Sequence, residues 1–264
     1  MNFKDKKVWI TGASSGIGEA LAYAFAKEGA QLVLSARNET ELERVKANCQ
    51  GATSVEVLNL DIGDHDSVFE KAGNLLSRIG AVDILINNAG LSQRSLAVET
   101  DLSVTKRLIN VDLTGTIAVT KSVLEPMIKQ KSGQIVVITS IMGKLGAPLR
   151  SSYAAAKHGL HGYFDTLRSE TYKDGIRVLL VCPGYVRTNV SINALTANGA
   201  AQGTMDEATQ NGFTPAEVAA KILKALHQGK EEIVIAKGRE RLATYVKRFA
   251  PRLLSRMVRN AKTT

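Results

Sequence analysis

The stretch Thr11-Gly12-Ala13-Ser14-Ser15-Gly16-Ile17-Gly18 decides the fold of this chain. It separates a run at 7–11 that predicts a strand from a helical pattern at 18–28. Glycines at such a junction permit a tight turn and let the backbone approach a pyrophosphate resting on the helix N-terminus. The spacing is G-x-x-x-G-x-G, and a turn with only a structural role is the alternative. Three glycines in the first β-α unit favour the nucleotide site.

The alternation of strand and helix continues through residue 236. Further strands are predicted at 31–35, 55–60, 83–87, 134–139, 177–182 and 232–236. Helices are predicted at 67–79, 104–131 and 151–173. A cap at Asn38 predicts the start of another helix, and a capping box at Thr214 predicts a last helix that runs to about residue 227. Strict β-α alternation implies a parallel sheet covered by helices on both faces. We therefore expect an α/β fold, a single-domain Rossmann-like doubly wound sheet of about seven parallel strands.

Composition is typical of a soluble globule, with 44% hydrophobic and 22% charged residues among 264. Cys49 and Cys182 form no motif, which favours buried thiols in a reducing compartment. The four histidines lack metal-ligand spacing, so we expect no metal. Apolar runs stay below the ~20 residues that span a bilayer. With a first strand from Lys7, we expect no signal peptide or N-terminal anchor, and hence a cytoplasmic protein.

The net charge of +9 is concentrated at the C-terminus. Residues 237–264 hold nine Lys or Arg and one acid, a balance of +8 that leaves +1 for residues 1–236. Apolar residues recur there at helical spacing on both sides of Pro251. A catalytic domain at 1–236 and a basic amphipathic extension at 237–264 are predicted. Such an extension suits an anionic membrane surface, and the alternative is a helix packed on the body or at an oligomer contact. No recognition motif supports nucleic acid binding.

Ser140, Tyr153 and Lys157 form a candidate catalytic set. Tyr153 and Lys157 lie four residues apart in a predicted helix, so their side chains share a face. A free phenol titrates near ~10, and a neighbouring cation lowers that pKa by favouring the charged form. Such a pair can exchange a proton with a substrate near neutral pH. Tyrosine and lysine often fall four apart on solvated helices, so the pair gains its meaning from the nucleotide site upstream.

The end of the second strand predicts which dinucleotide is bound. An acidic residue there would accept hydrogen bonds from the ribose 2′-hydroxyl and repel a 2′-phosphate. This chain has Ser35-Ala36-Arg37, with no carboxylate and a guanidinium that suits a phosphate. The sequence therefore predicts NADP(H), with NAD(H) as the alternative cofactor. An ordinary surface cation is the alternative for Arg37.

Several motifs in order resemble the short-chain dehydrogenase/reductase family. They are the glycine-rich turn, Asn87-Asn88-Ala89-Gly90, Asn110, Ser140, Tyr153-x-x-x-Lys157 and Pro183-Gly184, and they span about residues 6–236. The segment from Pro183 to Met205 is similar to the dehydrogenase/reductase member 7-like branch, which neighbours the 11-beta-hydroxysteroid dehydrogenases. Fewer residues support the resemblance to this branch than support the resemblance to the family.

The resemblance implies a role for each matching residue. Tyr153 is the acid/base, Lys157 lowers the pKa of the phenol and binds the nicotinamide ribose, and Ser140 binds the substrate oxygen. Asn110 holds a water that connects Lys157 to solvent, and no catalytic position departs from the family pattern. Cofactor contacts are implied for Gly12, Ser14, Ser15, Gly16, Ile17, Gly18, Arg37, Asp61, Asn87, Ala89, Gly90, Tyr153, Lys157, Pro183, Gly184, Val186 and Thr188.

These features predict an NADP(H)-dependent oxidoreductase that interconverts a carbonyl and a secondary alcohol on a lipophilic substrate. A 3-oxoacyl thioester reductase and a non-catalytic NADPH-binding sensor or scaffold are the alternatives. The aperiodic segment 185–213 is the predicted substrate loop. Lys144 and Arg150 could meet an acidic substrate group, but exposed loop cations are the expectation. The resemblance also implies a homodimer or homotetramer, and the anionic membrane remains the candidate partner of the C-terminal extension.

Overall fold

Seven parallel strands form one sheet in the order β3-β2-β1-β4-β5-β6-β7. The computed structural model describes residues 2–259. The strands are β1 Lys7–Thr11, β2 Gln31–Ala36, β3 Ser54–Asn59, β4 Ile84–Asn87, β5 Gly133–Ile138, β6 Ile176–Pro183 and β7 Glu232–Ile235. The chain winds outward from β1 to β3, then crosses to β4 and winds the other way. This reversal leaves a crevice beyond the carboxyl ends of β1 and β4.

Helices cover both faces of the sheet. They are α1 Gly16–Lys27, α2 Glu39–Ala47, α3 His65–Ile79, α4 Leu102–Ile109, α5 Thr116–Lys129, α6 Ser151–Glu170, α7 Glu207–Gln210, α8 Pro215–His227, α9 Gly238–Phe249 and α10 Pro251–Arg259. One buried cluster joins the sheet to α1 and α8 through Phe25 and Ile222. A second joins the opposite face to α3, α5 and α6 through residues such as Phe164. The predicted single-domain, doubly wound α/β fold is confirmed.

Local signals set the helix boundaries. Asn38 Oδ1 accepts a hydrogen bond from the Glu41 amide at 3.2 Å, as the predicted cap requires. The predicted capping box of Thr214 and Glu217 is present at the start of α8. Two helices begin two residues earlier than predicted, α1 at Gly16 and α3 at His65, the latter because Asp64 caps it.

The predicted long helix at 104–131 is wrong as a single element. The chain forms α4, then a wide π-helical turn at Asn110–Gly115, then α5. An added Cβ on Gly115 would lie 2.4 Å from the Ile62 carbonyl oxygen, so this turn sits against the loop after β3. A π turn inserts one extra residue and rotates the side chains that follow it. This rotation matters for the site.

The C-terminal segment forms two helices, and α10 begins at Pro251 as the predicted break requires. Leu254 is buried, and Ala243, Val246 and Val258 pack with it against the turn after β5. Residues Leu242, Tyr245, Phe249, Leu253 and Met257 remain about half exposed or more on the outer side. The extension therefore packs on the body and presents an apolar outer face, while residues 260–264 lie outside the described part. No described helix is long and apolar enough to cross a membrane.

Candidate active site

The glycine-rich turn brings the backbone of β1 close to the segment after β4. Gly12 has φ +65°, and a Cβ there would lie 2.8 Å from the Ala89 Cα. A Cβ on Gly18 would lie 2.2 Å from the Gly12 carbonyl oxygen. Thr11 Oγ1 accepts hydrogen bonds from the amides of Asn88 and Ala89 at 3.0 and 3.1 Å. The turn is thus a close backbone junction that only glycine permits.

Two adjacent cavities lie along the carboxyl edge of the sheet. The main cavity is bounded by the glycine turn, by the ends of β5 and β6 and by α6. A second cavity opens next to it, and Ala89, Gly90 and Leu91 line both. The two cavities lead from Arg37 at one end to Tyr153 at the other. An elongated cleft of this shape, with a backbone cradle at its middle, fits a dinucleotide.

The second cavity holds the residues predicted for the adenosine end of a cofactor. Ser14, Arg37 and Asp61 all line it. Asp61 Oδ1 accepts a hydrogen bond from the Gly63 amide at 2.8 Å, which fixes that carboxylate. Arg37 lies one residue beyond β2 and is exposed. The guanidinium can therefore reach an anion bound at this end of the cleft.

The main cavity collects the other predicted residues. Those that line it are Gly12, Ser15, Gly16, Ile17, Ala89, Gly90, Ser140, Tyr153, Lys157, Pro183, Gly184, Val186 and Thr188. Ser140 Oγ accepts from the Met142 amide at 3.1 Å and donates a long hydrogen bond of 3.4 Å to the Pro183 carbonyl. Lys157 Nζ lies 5.6 Å from the centre of the Tyr153 ring. A phenol, an ammonium and a hydroxyl thus face one space.

Lys157 is buried against a carboxylate that sequence reasoning missed. Its Nζ lies 3.4 Å from Asp112 Oδ2, with side-chain exposures of 5% and 0%. Asp112 Oδ1 accepts from the Leu91 amide at 2.7 Å, and Oδ2 has no hydrogen bond among the described residues. Burial opposes the charge of Lys157, but Asp112 and Tyr153 outweigh it and raise the lysine pKa. Burial raises the pKa of Asp112, against the attraction of Lys157.

Asn110 makes hydrogen bonds to the loop after β3 and within its own turn. Its amide nitrogen donates to the Gly63 carbonyl at 2.8 Å, and its own carbonyl accepts from Thr114. Asp112, two residues later in the same turn, is the residue whose carboxylate faces Lys157. An acidic residue between Val111 and Leu113 in a mostly apolar helix was the available sequence signal. The water-holding role of Asn110 stays a prediction.

Two further predicted residues lie outside the cleft wall. Asn87 is buried in β4, where its amide donates to Thr120 Oγ1 at 2.9 Å. Gly18 lies beneath the turn, against the Gly12 carbonyl. Asn88, which was not predicted as a contact, lines the main cavity and donates to the carbonyls of Thr11 and Gly12. Asn87 and Gly18 therefore support the cleft from behind, and Asn88 forms part of its wall.

Arg150 is not the exposed loop cation that was expected. It is 6% exposed and lines the main cavity together with Arg94. Both guanidinium groups lie near Oδ2 of Asp206, which belongs to the loop at 185–213. Lys144 meets Glu232, and 27% of its side chain is exposed. A charged cluster therefore stands beside Tyr153, formed by residues distant in sequence.

A histidine of α6, a cysteine of β6 and a glutamate of β7 lie close together. His161 Nε2 lies 3.7 Å from Cys182 Sγ, while its Nδ1 lies 3.8 Å from Glu232 Oε2. The two neighbours thus face different ring nitrogens, and Lys144 already pairs with the carboxylate. One ligand atom from each of the three residues lies within 4.8 Å of the other two, but the carboxylate already has Lys144 as its partner. We assign no metal to this cluster.

Comparison with known proteins identifies the family. The sequence model of the short chain dehydrogenase family matches residues 6–199. The chain therefore belongs to the short-chain dehydrogenase/reductase family, whose members are oxidoreductases that use nicotinamide cofactors on small molecules and are typically oligomeric.

Curated relatives define a nearer group. The Anopheles gambiae protein named dehydrogenase/reductase SDR family protein 7-like is 42% identical over 252 residues, covering 93% of this chain and 80% of that protein. The Bos taurus dehydrogenase/reductase SDR family member 7B is 40% identical, covering 95% of this chain and 79% of that protein. The predicted resemblance to the member 7-like branch is confirmed.

Solved structures agree on the fold. A short-chain dehydrogenase from Streptomyces avermitilis superposes with a TM-score of 0.80 at 28% identity, covering 96% of both chains. An alcohol dehydrogenase from Thermococcus sibiricus, solved with 5-hydroxy-NADP, gives a TM-score of 0.76 at 27% identity, covering 88% of this chain and 96% of that one.

Proposed function

We propose that this protein is an NADP(H)-dependent oxidoreductase that interconverts a carbonyl and a secondary alcohol. The observation that carries the proposal is that Ser140, Tyr153 and Lys157 line the same cavity as the glycine-rich turn. A site that only held a dinucleotide would not need a hydroxyl, a phenol and a buried ammonium at the reacting end. The alternative of a non-catalytic NADPH sensor or scaffold is therefore less favoured.

The proposed chemistry divides between cofactor and protein. NADPH, when bound, supplies the hydride that reduces the carbonyl carbon. Tyr153 donates its phenolic proton to the substrate oxygen as that oxygen gains negative charge. Ser140 donates a hydrogen bond to the same oxygen, exchanging its long bond to Pro183 for a shorter one where charge develops. Lys157 Nζ, 5.6 Å from the centre of the Tyr153 ring, places a positive charge beside the phenol, and in the oxidative direction Tyr153 accepts the proton of the alcohol.

The preference for NADP(H) rests on Arg37. The second strand ends at Ala36 without a carboxylate, and the next residue carries an exposed guanidinium on the wall of the second cavity. A guanidinium binds a phosphate by charge and by paired hydrogen bonds. Asp61 lies in the same cavity, but its Oδ1 already accepts a hydrogen bond from the Gly63 amide. NAD(H) is the alternative cofactor.

An apolar wall favours a lipophilic substrate. Ile138, Ile141, Met142, Val186 and Val190 line the main cavity beside Tyr153. Such a surface suits an alkyl or ring system next to the reacting carbonyl. A 3-oxoacyl thioester, the second substrate class predicted from the sequence, also fits an apolar wall. A homodimer or homotetramer is proposed from the family.

The outer face of the C-terminal extension supports a peripheral contact with an anionic membrane. Its exposed apolar residues, Phe249 and Leu253 among them, are interleaved with exposed Lys247, Arg248 and Arg252. We propose a cytoplasmic protein, since Cys49 and Cys182 are buried free thiols. The extension from residue 237 is proposed as an addition to a catalytic unit formed by residues 1–236.

A screen of carbonyl compounds with NADPH tests the proposal. Purified protein is offered medium-chain ketones, ring ketones, 3-oxoacyl thioesters and a lipid extract, with loss of NADPH absorbance as the readout. Cofactor carrying deuterium at the transferred position is used to mark the product alcohol. We expect deuterium at the former carbonyl carbon. Tight NADPH binding without turnover of any carbonyl would contradict the enzyme and favour the sensor.

A further inference from the structure

Gln93 lies between the substrate loop and the helix that carries Tyr153. It is fully buried, and the backbone on both sides of it pairs with that loop. Leu195 donates to the Ser92 carbonyl and accepts from the Arg94 amide, both at 2.8 Å. Ser92 and Arg94 line the main cavity, whereas Gln93 is not among the described residues that do. An effect of Gln93 on the reaction therefore passes through another residue.

The start of α6 has no cap from the residue that precedes it. The first amides of a helix have no acceptor within the helix, and a side-chain oxygen commonly accepts from them. Arg150 occupies the capping position, and an arginine side chain has no acceptor atom. Leu149, one residue earlier, has φ +66°, an uncommon backbone conformation for a residue other than glycine. The helix that carries Tyr153 and Lys157 therefore needs support from elsewhere in the chain.

The side-chain oxygen of Gln93 supplies this cap. Gln93 Oε1 accepts from the Ser152 amide at 2.8 Å and from the Tyr153 amide at 3.2 Å. Both donors belong to the first turn of α6, and the second is the backbone amide of the proposed acid/base. The Ser95 amide donates to the Leu149 carbonyl at 3.3 Å, so the same segment also holds the turn before the helix. A short segment after β4 thus fixes the start of α6.

Three hydroxyl groups fix the orientation of the Gln93 amide. Its Nε2 donates to Thr100 Oγ1 at 3.0 Å and to Ser95 Oγ at 3.2 Å, and Ser151 Oγ lies 3.4 Å away. An amide nitrogen cannot accept a hydrogen bond, so the opposite orientation would place it against two N–H donors of α6. A buried polar group with partners at both ends is held in one place. The Gln93 oxygen is therefore a fixed point for the first turn of α6.

We propose that Gln93 is a positioning residue for Tyr153. By accepting from the Tyr153 amide, it keeps the first turn of α6 closed and holds the phenol in the cavity that Ser140 also lines. The proposal rests on the proposed function, since it assigns to Gln93 the placement of the group that protonates the carbonyl. Because Gln93 also pairs with Leu195, one segment places both the acid/base and the substrate loop.

Three substitutions of Gln93 test this role through kcat and KM for an accepted carbonyl and the dissociation constant of NADPH. Gln93→Met keeps the length but removes the accepting oxygen, and Gln93→Asn keeps the amide but shortens it by a methylene group. We expect both to lower kcat by about 10–100-fold and to leave KM and the dissociation constant within about threefold, because a small displacement of a reacting group slows the chemical step. Gln93→Glu keeps an accepting oxygen, and we expect its kcat to be about tenfold or more above that of Gln93→Met.

A cap on another helix separates positioning from stability. Thr214→Ala removes the cap of α8, a helix from which no described residue lines either cavity. We expect it to lower the Tm by roughly 2–4 °C and to keep the wild-type kcat. If Gln93 serves only stability, Gln93→Met and Gln93→Asn also keep the wild-type kcat in assays below their Tm. That result overturns the inference, and so does a kcat of Gln93→Glu no higher than that of Gln93→Met.

Amide hydrogen exchange distinguishes this failure from failure of the proposed function. Exchange of the Ser152 and Tyr153 amides is measured at residue resolution in the full chain, without substrate. We expect slow exchange in wild-type protein and in Gln93→Glu, and exchange about tenfold faster or more in Gln93→Met. Faster exchange in Gln93→Met, with no carbonyl reduced by wild-type protein, would contradict the reductase and leave the cap on Tyr153 standing. Equal exchange in the two proteins, with turnover by the wild type, would overturn the cap and leave the reductase standing.

Discussion

At the residue scale, the end of β2 carries no carboxylate and is followed by a cation, Arg37. The strand ends at Ala36, and Arg37 lines the cavity next to Asp61 and Ser14. Because the two nicotinamide dinucleotides differ only in the 2′-phosphate, a single guanidinium at this point can set the preference. The role depends on one exposed side chain, so it can be tested without disturbing the core.

Arg37→Ala is expected to weaken NADPH binding by about 10–100-fold and to leave NADH binding nearly unchanged, because one charge-assisted contact is lost. Fluorescence titration of each cofactor measures both dissociation constants. Lys46→Ala, an exposed cation of α2 paired with Glu43, is the control and should change neither. Equal losses for NADPH and NADH in Arg37→Ala would contradict the phosphate contact.

His161 makes the free energy of unfolding depend on pH. Burial, followed by the nearby Lys144, lowers its pKa to about 4, although Glu232 and Asp165 act in the opposite direction. Between pH 4 and 6.5 the unfolded chain therefore binds a proton that the folded protein does not. The stabilisation from neutral His161 is present above about pH 6.5 and is lost as the pH falls toward 4.

We expect wild-type protein to lose up to about 3 kcal/mol of unfolding free energy over that range through His161. His161→Gln, which cannot titrate, should lack this part of the decline. Urea unfolding of both proteins at several pH values measures the difference. Parallel pH dependence of the two free energies would contradict a neutral, buried His161.

Some residues of the site belong to short sequence motifs, whereas others depend on partners that are distant in the sequence. Gly12, Ser140, Tyr153 and Lys157 were predicted because each belongs to a short motif with its own chemistry, and the structure brings them to one cleft. Their catalytic roles remain proposals. Asp112 and Arg150 were not predicted as parts of one site, since their meaning depends on contacts with Lys157 and Asp206 formed only by folding.

At the scale of elements, the π turn at Asn110–Gly115 connects the helix pair α4–α5 to α6. Periodicity predicted one continuous helix there, because a single inserted residue barely alters an apolar pattern. Asp112 lies within this turn and forms an ion pair with Lys157 on the neighbouring helix. The other strands and helices followed from alternation and caps, with boundaries at most three residues from those predicted, except the short α7 at Glu207–Gln210, which the aperiodic segment did not predict.

A double-mutant cycle of Asp112→Asn and Lys157→Met measures this connection. Each single change leaves a buried group without its charged partner, whereas the double variant removes both charges. We expect a coupling free energy of about 0.5–3 kcal/mol in urea unfolding. The exposed pair Glu125 and Lys129 on α5 is the control and should couple far more weakly. Additive effects of Asp112 and Lys157 would contradict the buried ion pair.

At the scale of the whole molecule, charge and exposed apolar surface coincide on the C-terminal extension. The sequence predicted its basic charge and its helical spacing. It left open whether the helices pack on the body, and the structure shows that one side does while another stays exposed. Sequence periodicity could not show which apolar residues are buried on the body and which are exposed, because a buried and an exposed apolar stripe on one helix give the same pattern as a single broad stripe.

We expect the protein to bind vesicles that contain anionic lipid and to bind neutral vesicles far less, since both charge and apolar area contribute. Replacing Phe249 and Leu253 by serine should reduce binding several-fold in a flotation assay. Phe69→Ser, which removes an exposed aromatic residue of α3, is the control. Unchanged binding of the Phe249/Leu253 variant would contradict membrane contact through this face.

The central claim, that the phenol of Tyr153 transfers a proton while NADPH supplies hydride, is tested most directly by Tyr153→Phe. The account predicts that turnover of an accepted carbonyl falls by about 10²–10⁴-fold, the usual contribution of a general acid. The dissociation constant of NADPH should stay within about twofold. Tyr163→Phe, a change on the same helix beside Phe164, should retain turnover. Turnover by Tyr153→Phe comparable to that of wild-type protein would contradict the account.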